Sequence, residues 1–155
     1  MMKMLFVCLG NICRSPMAEA VMKDKLANSS LADKVTVASG ATSRWEEGNP
    51  PHPGTQKILN MHNISFTDIY STPITVQDFE HYDLLIGMDK SNVEDMKRMA
   101  PTDTLEKIHL FMEQVAGKET EEVPDPYYTG DFEQTYQMVD EGTDAWLAYL
   151  NKLAR

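Results

Sequence analysis

The chain has 155 residues, of which 42% are hydrophobic and 25% are charged, the composition of an ordinary globular protein long enough to bury a core. Its 14 basic and 24 acidic residues give a net charge of −10, which argues against binding to nucleic acid or to an anionic membrane surface. Any anion that it binds must therefore be held by a local arrangement of donors, against the field of the whole protein.

Local patterns exclude several further classes of protein. No apolar run reaches the roughly 20 residues of a membrane span, and the apolar run at residues 4–9 is too short for a signal peptide. Two cysteines, Cys8 and Cys13, cannot form the disulfide framework of a secreted domain, so a cytoplasmic location is expected, while export without a signal peptide stays open. Because the spacings typical of zinc and calcium sites are absent, we expect no metal and no other cofactor.

Strands and helices are predicted to alternate along the chain. In chain order we predict a strand at 3–7, a helix at about 15–28, a strand at 35–38 closed by Ser39-Gly40, a helix at about 53–62, a helical turn at 78–81, a strand at 83–88, a helix at 90–99, a strand at 107–111 and a helix from 132 to the end. Ser15 is predicted to cap the first helix, with Pro16 as its first residue. This alternation predicts one α/β domain over residues 1–155, with a parallel sheet covered by helices on both faces.

The segment that follows the first strand predicts an anion-binding loop. It reads Cys8-Leu9-Gly10-Asn11-Ile12-Cys13-Arg14-Ser15, and ligands of parallel sheets bind at the carboxyl ends of strands. Gly10 and Asn11 tolerate the left-handed backbone that such a curl requires, and the start of the helix adds partial positive charge. Arg14 can hold an oxyanion with two parallel hydrogen bonds. These surroundings favour the thiolate of Cys8, which would be a nucleophile for phosphoryl transfer.

A general acid is expected on another loop at the same edge of the sheet. Asp125 lies between Pro124 and Pro126, which stiffen its backbone and would present one carboxyl group rigidly. The alternative interpretation of Pro124-Asp125-Pro126 is an ordinary proline-rich surface turn without a catalytic role. The alternative interpretation of the loop is that Cys8 is a buried small residue and Arg14 a solvated surface charge.

Two motifs make the chain resemble the low-molecular-weight protein tyrosine phosphatase family. The first runs from Val7 to Ala20 as VCLGNICRSPMAEA, and the second is Asp125-Pro126-Tyr127-Tyr128. The chain between them is similar to the family as well, at Ser39-Gly40, Trp45, residues 83–89 and Ser91-Asn92. The resemblance implies a four-stranded parallel sheet, a covalent phosphocysteine intermediate and no metal.

The same resemblance implies a role for each site residue. Cys8 would be the nucleophile, Arg14 would hold the phosphoryl oxygens, and Asp125 would act as general acid and then as base. Ser15 would donate to the Cys8 sulfur and ease its departure. The residues expected to hold the loop by hydrogen bonds are Asn11, Ser39 and His62.

An aromatic cleft above the loop is expected to select the substrate. Trp45, Tyr127 and Tyr128 lie on loops that should flank the site, which suits a phenyl phosphate and leaves a short phosphoserine out of reach. The residues expected to bind the substrate are Leu9, Gly10, Asn11, Ile12, Cys13, Ser15, Trp45, Tyr127 and Tyr128. Relatives that act on phosphoarginine are expected to carry threonine at the position of Ile12, so Ile12 favours phosphotyrosine.

Other functions stay open as alternatives. A protein arginine phosphatase and a non-catalytic phosphate-binding module are both compatible with the loop, whereas an arsenate reductase would need cysteines outside it. We expect phosphotyrosine-containing proteins as partners and a monomer or weak dimer. Oxidation is expected to link Cys8 to Cys13 reversibly.

Overall fold

The chain forms a four-stranded parallel sheet with helices on both faces, as predicted. The structure is a computed structural model and describes residues 1–154. Its elements are β1 (Met2–Cys8), α1 (Arg14–Ala27), β2 (Val35–Ala41), α2 (Pro53–Met61), α3 (Val76–His81), β3 (Leu84–Gly87), α4 (Lys90–Met99), β4 (Ile108–Leu110), α5 (Pro126–Thr129) and α6 (Phe132–Leu153), with 3-10 turns at Thr102–Lys107 and Phe111–Gln114. The strand order is β2-β1-β3-β4, and every pair is parallel.

Strand β1 lies in the middle of the sheet, between β2 and β3. Its side chains alternate between the two faces: Phe6 and Cys8 join the core that includes residues of α1 and α6, while Leu5 and Val7 join the core on the side of α3 and α4. Because β1 has neighbours on both sides, its carboxyl end is the switch point where ligands of such sheets bind. Cys8 is the last residue of this strand.

The start of helix α1 and the end of strand β2 differ from their predicted positions. Helix α1 begins at Arg14 and Cys13 occupies the capping position, so the prediction that Ser15 caps the helix is wrong. Its hydroxyl is engaged elsewhere, 3.0 Å from the sulfur of Cys8. Strand β2 continues through Ser39 and Gly40, because Cys8 extends the ladder to pair with Ala41.

Hydrogen bonds between side chains and backbone cap the start of helix α4. Helix α4 has the predicted bounds and begins with a capping box, in which Asp89 Oδ1 accepts from the backbone N–H of Asn92 and Asn92 Oδ1 accepts from the backbone N–H of Asp89.

Among residues 1–154, no helix is long and apolar enough to cross a membrane.

Candidate active site

The backbone carbonyl groups of the loop between β1 and α1 point outward and accept hydrogen bonds from neighbouring segments. The oxygen of Leu9 accepts from Ser43, that of Gly10 accepts from the Ser71 hydroxyl, that of Ile12 accepts from the His52 amide, and that of Cys13 accepts from the Thr55 hydroxyl. A carbonyl and the next residue's N–H point in opposite directions in the planar trans peptide. Four outward carbonyls therefore turn the N–H groups of residues 10, 11, 13 and 14 towards the centre of the loop.

The sulfur of Cys8 lies among these inward donors. The Asn11 amide donates to Cys8 Sγ at 3.3 Å, which agrees with the inward direction of that N–H, and Ser15 Oγ is 3.0 Å from the same sulfur. Asn11 has the left-handed φ of 54° that was expected for a residue of this loop, whereas Gly10 does not. The loop thus surrounds a buried thiol with donors suited to an anion.

A chain of hydrogen bonds fixes the direction in which the Ser15 hydroxyl points. The Thr72 amide donates to Asn11 Oδ1 at 3.0 Å, so the Asn11 amide nitrogen must face the other way. It donates to Ser15 Oγ at 2.7 Å and to Ser39 Oγ at 2.9 Å. Since Ser15 already accepts from Asn11, its own proton is left for the sulfur of Cys8.

The last acceptor in this chain of hydrogen bonds is Glu19 and not His62. Ser39 Oγ donates to Glu19 Oε1 at 2.6 Å, and the buried Glu19 also pairs with Lys23. His62 is exposed at the end of α2 and stacks on Tyr136 with 4.0 Å between ring centroids. The prediction that His62 belongs to the network is therefore wrong, because its ring stacks on Tyr136 at the surface.

The guanidinium of Arg14 is buried and is oriented by acceptors on two other loops. Its Nη1 donates to Asp89 Oδ2 at 2.7 Å and to the Val123 carbonyl at 2.9 Å, and its Nη2 lies 3.4 Å from Asp125 Oδ2. Its Nε is buried and has no hydrogen-bond partner within residues 1–154. The Nε–Nη2 edge is therefore the one left to grip an oxyanion with two parallel bonds.

The negative groups around Arg14 keep it charged. Burial by itself lowers the pKa of Arg14, but the opposing effects of Cys8, Asp89 and Asp125 leave the pKa above its ordinary value. A fixed positive charge thus lies next to the loop in a protein that is strongly acidic overall.

Asp125 reaches the site from the segment that leads into α5. The Val123 amide donates to the Met88 carbonyl, which ties this segment to the end of β3. One carboxylate oxygen of Asp125 accepts from the Tyr127 amide at 3.1 Å, and the other faces Arg14. Because α5 begins directly after Asp125, the helix start and the two prolines restrict where this carboxyl group can go.

A cleft of about 190 Å³ opens above the Cys8 sulfur. Its walls include the exposed rings of Trp45, Tyr127 and Tyr128, which are 78%, 57% and 73% exposed. The remaining lining residues are Cys8, Leu9, Gly10, Ile12, Cys13, Glu46 and Asp125. The structure thus brings together the loop, the acid segment and the aromatic residues. Asn11 and Ser15, which were also expected to bind the substrate, belong to the hydrogen-bond network and do not line this cleft.

The site residues that the sequence analysis missed include Glu19, Glu46, Thr72 and Asp89. Asp89 and Glu19 each lie in a segment that resembles the family, but the sequence pattern did not indicate which residues they would contact. Glu46 directly follows Trp45 and carried no motif of its own. Thr72 contributes only its backbone N–H, which a sequence cannot reveal.

The fold and the site define the class of small α/β phosphatases that carry a cysteine in the phosphate-binding loop. A family model described as low molecular weight phosphotyrosine protein phosphatase matches residues 3–155, and the chain belongs to this family. Over 152 residues it is 41% identical to the low molecular weight protein-tyrosine-phosphatase YfkJ of Bacillus subtilis, covering 98% of this chain and 97% of YfkJ. The crystal structure of YfkJ matches with a TM-score of 0.96 at 40% identity, covering 100% of this chain and 98% of the other.

Two further relatives bear on the substrate. The low molecular weight protein-tyrosine-phosphatase PtpA of Staphylococcus aureus is 43% identical over 152 residues, which cover 98% of this chain and 96% of PtpA. The crystal structure of a drosophila arginine phosphatase matches with a TM-score of 0.86 at 32% identity, covering 96% of this chain and 98% of that protein. Proteins named for two different substrates therefore share this fold.

Proposed function

We propose that this protein hydrolyses phosphotyrosine in proteins through a covalent phosphocysteine intermediate. The observation that carries the proposal is the position of the Cys8 sulfur, which accepts from the Asn11 amide inside a loop whose N–H groups converge. The Arg14 guanidinium, whose Nε has no hydrogen-bond partner among residues 1–154, supplies the charge that a phosphoryl group needs. The family names of the relatives support the same activity.

In the proposed first step, the loop amides and Arg14 bind the three phosphoryl oxygens. Cys8 attacks phosphorus as a thiolate, the P–O bond to the tyrosine breaks, and a P–S bond forms. The inward N–H groups are fixed before the substrate arrives, so charge on the phosphoryl oxygens is stabilised without reorganisation.

Asp125 is the proposed general acid for the departing phenolate. It faces Arg14 in the free protein, and a bound phosphoryl dianion would replace it as the counter-ion of that guanidinium. Released from Arg14, the carboxyl group of Asp125 is free to give a proton to the leaving oxygen.

In the proposed second step, Asp125 accepts a proton from the water that attacks the phosphocysteine. The sulfur then leaves as a thiolate, which the Ser15 hydroxyl stabilises, since its proton has no other acceptor in the network. Phosphate leaves and the free enzyme is restored.

Turnover of p-nitrophenyl phosphate in the presence of EDTA tests the proposal. We expect hydrolysis without any added metal. Binding of inorganic phosphate with no turnover would instead favour a phosphate-binding module, and turnover that requires a metal would contradict the cysteine mechanism.

Replacing Ile12 tests the choice between phosphotyrosine and phosphoarginine. Ile12 lines the cleft next to Cys8 and the aromatic walls. We expect Ile12→Thr to raise the ratio of kcat/KM for phosphoarginine to that for phosphotyrosine, because it removes apolar bulk and adds a hydroxyl group next to a polar guanidinium.

Ile12→Val is the matched control for this substitution, since valine has the shape of threonine without the hydroxyl. A ratio that rises equally in both variants would assign the effect to space alone. A ratio that moves in neither would show that other walls of the cleft, such as Trp45, set the choice.

Cys13 is proposed to protect the nucleophile from irreversible oxidation. Burial, and next the negative charge of Cys8, raise the pKa of the Cys13 thiol, which therefore stays protonated in the resting protein. Peroxide converts Cys8 to a sulfenic acid. The Cys13 thiol then attacks the sulfenic sulfur, forming the disulfide and releasing water.

Peroxide treatment followed by a thiol reductant measures this protection. We expect the wild-type protein to recover most of its activity and Cys13→Ser to recover little. Equal recovery in the two proteins would leave Cys13 with a packing role only.

A further inference from the structure

A shallow groove continues from the cleft across the surface. It shares Ile12, Glu46 and Tyr127 with the cleft and extends over residues 49–53 and Gln56. A polypeptide whose phosphotyrosine side chain enters the cleft can extend across this shared rim. The groove is therefore placed to contact the residues next to the phosphotyrosine.

Glu46 places a negative charge on this rim, at the entrance of a site for a dianion. A carboxylate there repels the phosphoryl group and attracts any positive charge beside it. The proposed mechanism assigns no role to Glu46. A substrate that carries a positive charge next to its phosphoryl group would be attracted to this carboxylate.

The Glu46 side chain is held in place for such a partner. Its Oε2 accepts from Asn49 Nδ2 at 2.7 Å, and the Asn49 amide donates to the Glu46 carbonyl at 2.9 Å. Its Cγ lies over Gly10, close enough to contact a side chain there. Within residues 1–154, only Oε2 is hydrogen-bonded, so Oε1 is free to accept from a ligand.

The neighbouring residue Glu47 is arranged differently. It forms an ion pair with Arg44 at 3.2 Å, and both side chains are more than half exposed. The charge of Glu47 is therefore already compensated within its own loop, whereas the charge of Glu46 faces the cleft and the groove.

We infer that Glu46 selects phosphotyrosine that has a lysine or arginine next to it in the substrate, with the basic side chain lying in the groove. This inference rests on the proposed function and names the class of phosphopeptide that it serves. Selection would arise from attraction of basic neighbours and from repulsion of acidic ones, both at the same carboxylate.

Three phosphotyrosine peptides of equal length test the inference, with lysine, glutamine or glutamate on both sides of the phosphotyrosine. We expect the wild-type kcat/KM to fall in that order, by roughly two- to fivefold per step, as is usual for a charge pair at a protein surface. The preference should weaken in about 0.5 M salt, because screening shortens the reach of exposed charges.

Glu46→Gln keeps the acceptor for Asn49 and is expected to bring the three kcat/KM values together, while Glu46→Lys should reverse their order. Glu47→Gln is the matched control, since it changes the net charge equally and should leave the order intact. An unchanged preference in Glu46→Gln, or an equal loss in Glu47→Gln, would overturn the inference.

Turnover of p-nitrophenyl phosphate by the wild-type protein distinguishes a failure of the inference about Glu46 from a failure of the proposed phosphatase activity. If this substrate is hydrolysed and the three peptides are cleaved equally, the phosphatase proposal stands and the role of Glu46 is refuted. If it is not hydrolysed, the proposed function itself fails.

Discussion

Cys8→Ser is expected to abolish turnover of aryl phosphates, by roughly 10⁴-fold or more, while the protein still binds inorganic phosphate. The oxyanion is held by the loop amides and by Arg14, and only the sulfur carries out the chemistry. Steady-state kinetics and phosphate titration measure the two properties separately. In the wild-type protein, rapid quenching followed by mass spectrometry should also trap phosphate on Cys8.

Cys13→Ser provides the matched control for this substitution. It introduces the same change of side chain into the same loop, but at a residue that takes no part in bond formation, so the loss should be far smaller. Substantial activity in Cys8→Ser would show that Cys8 is not the nucleophile, whereas an equal collapse in both variants would assign the loss to disruption of the loop.

Asp125→Asn is expected to slow cleavage of phosphotyrosine by about 10²–10⁴-fold, the usual contribution of a general acid. Asparagine keeps the size of the side chain and an acceptor for the Tyr127 amide, but it cannot give a proton to the leaving oxygen. The loss should be smaller with p-nitrophenyl phosphate, because its leaving group is a weaker base and needs less protonation.

The pH profile gives an independent measure of the role of Asp125. General acid catalysis needs a proton on the donating carboxyl group, so the wild-type rate should fall as pH rises. Asp125→Asn should lack that fall. An unchanged profile in the variant would point to a different acid.

The sequence predicted those parts of the site that depend on a continuous segment. The loop from Cys8 to Ser15 was recognisable because a strand, turn-forming residues and a helix start follow one another there. Asp125 was recognisable because its two prolines stiffen it. In both places the local pattern and the tertiary environment require the same conformation.

The errors arose where one residue type fits two environments. Serine followed by proline is typical of a helix cap, yet Ser15 uses its hydroxyl on Cys8 and Asn11, and the helix begins one residue earlier. His62 was assigned to the network by the family resemblance, but the residue that accepts from Ser39 is Glu19, one helix turn beyond Ser15 on the same helix. A one-dimensional pattern does not show which of two polar groups faces the loop.

The outward hydrogen bonds of the loop link phosphate binding to the folding of the whole chain. Ser43, His52, Thr55 and Ser71 brace the loop carbonyls from segments that follow β2 or lie in and around α2. The curl of N–H groups can therefore exist only once these distant segments have assembled, and an unfolded chain has no equivalent site. A ligand that binds only the native state stabilises it, by about 2.7 kcal/mol at a concentration of 100 times its Kd. Inorganic phosphate, the product of the proposed reaction, would then act as a folding ligand that favours the native form of the protein.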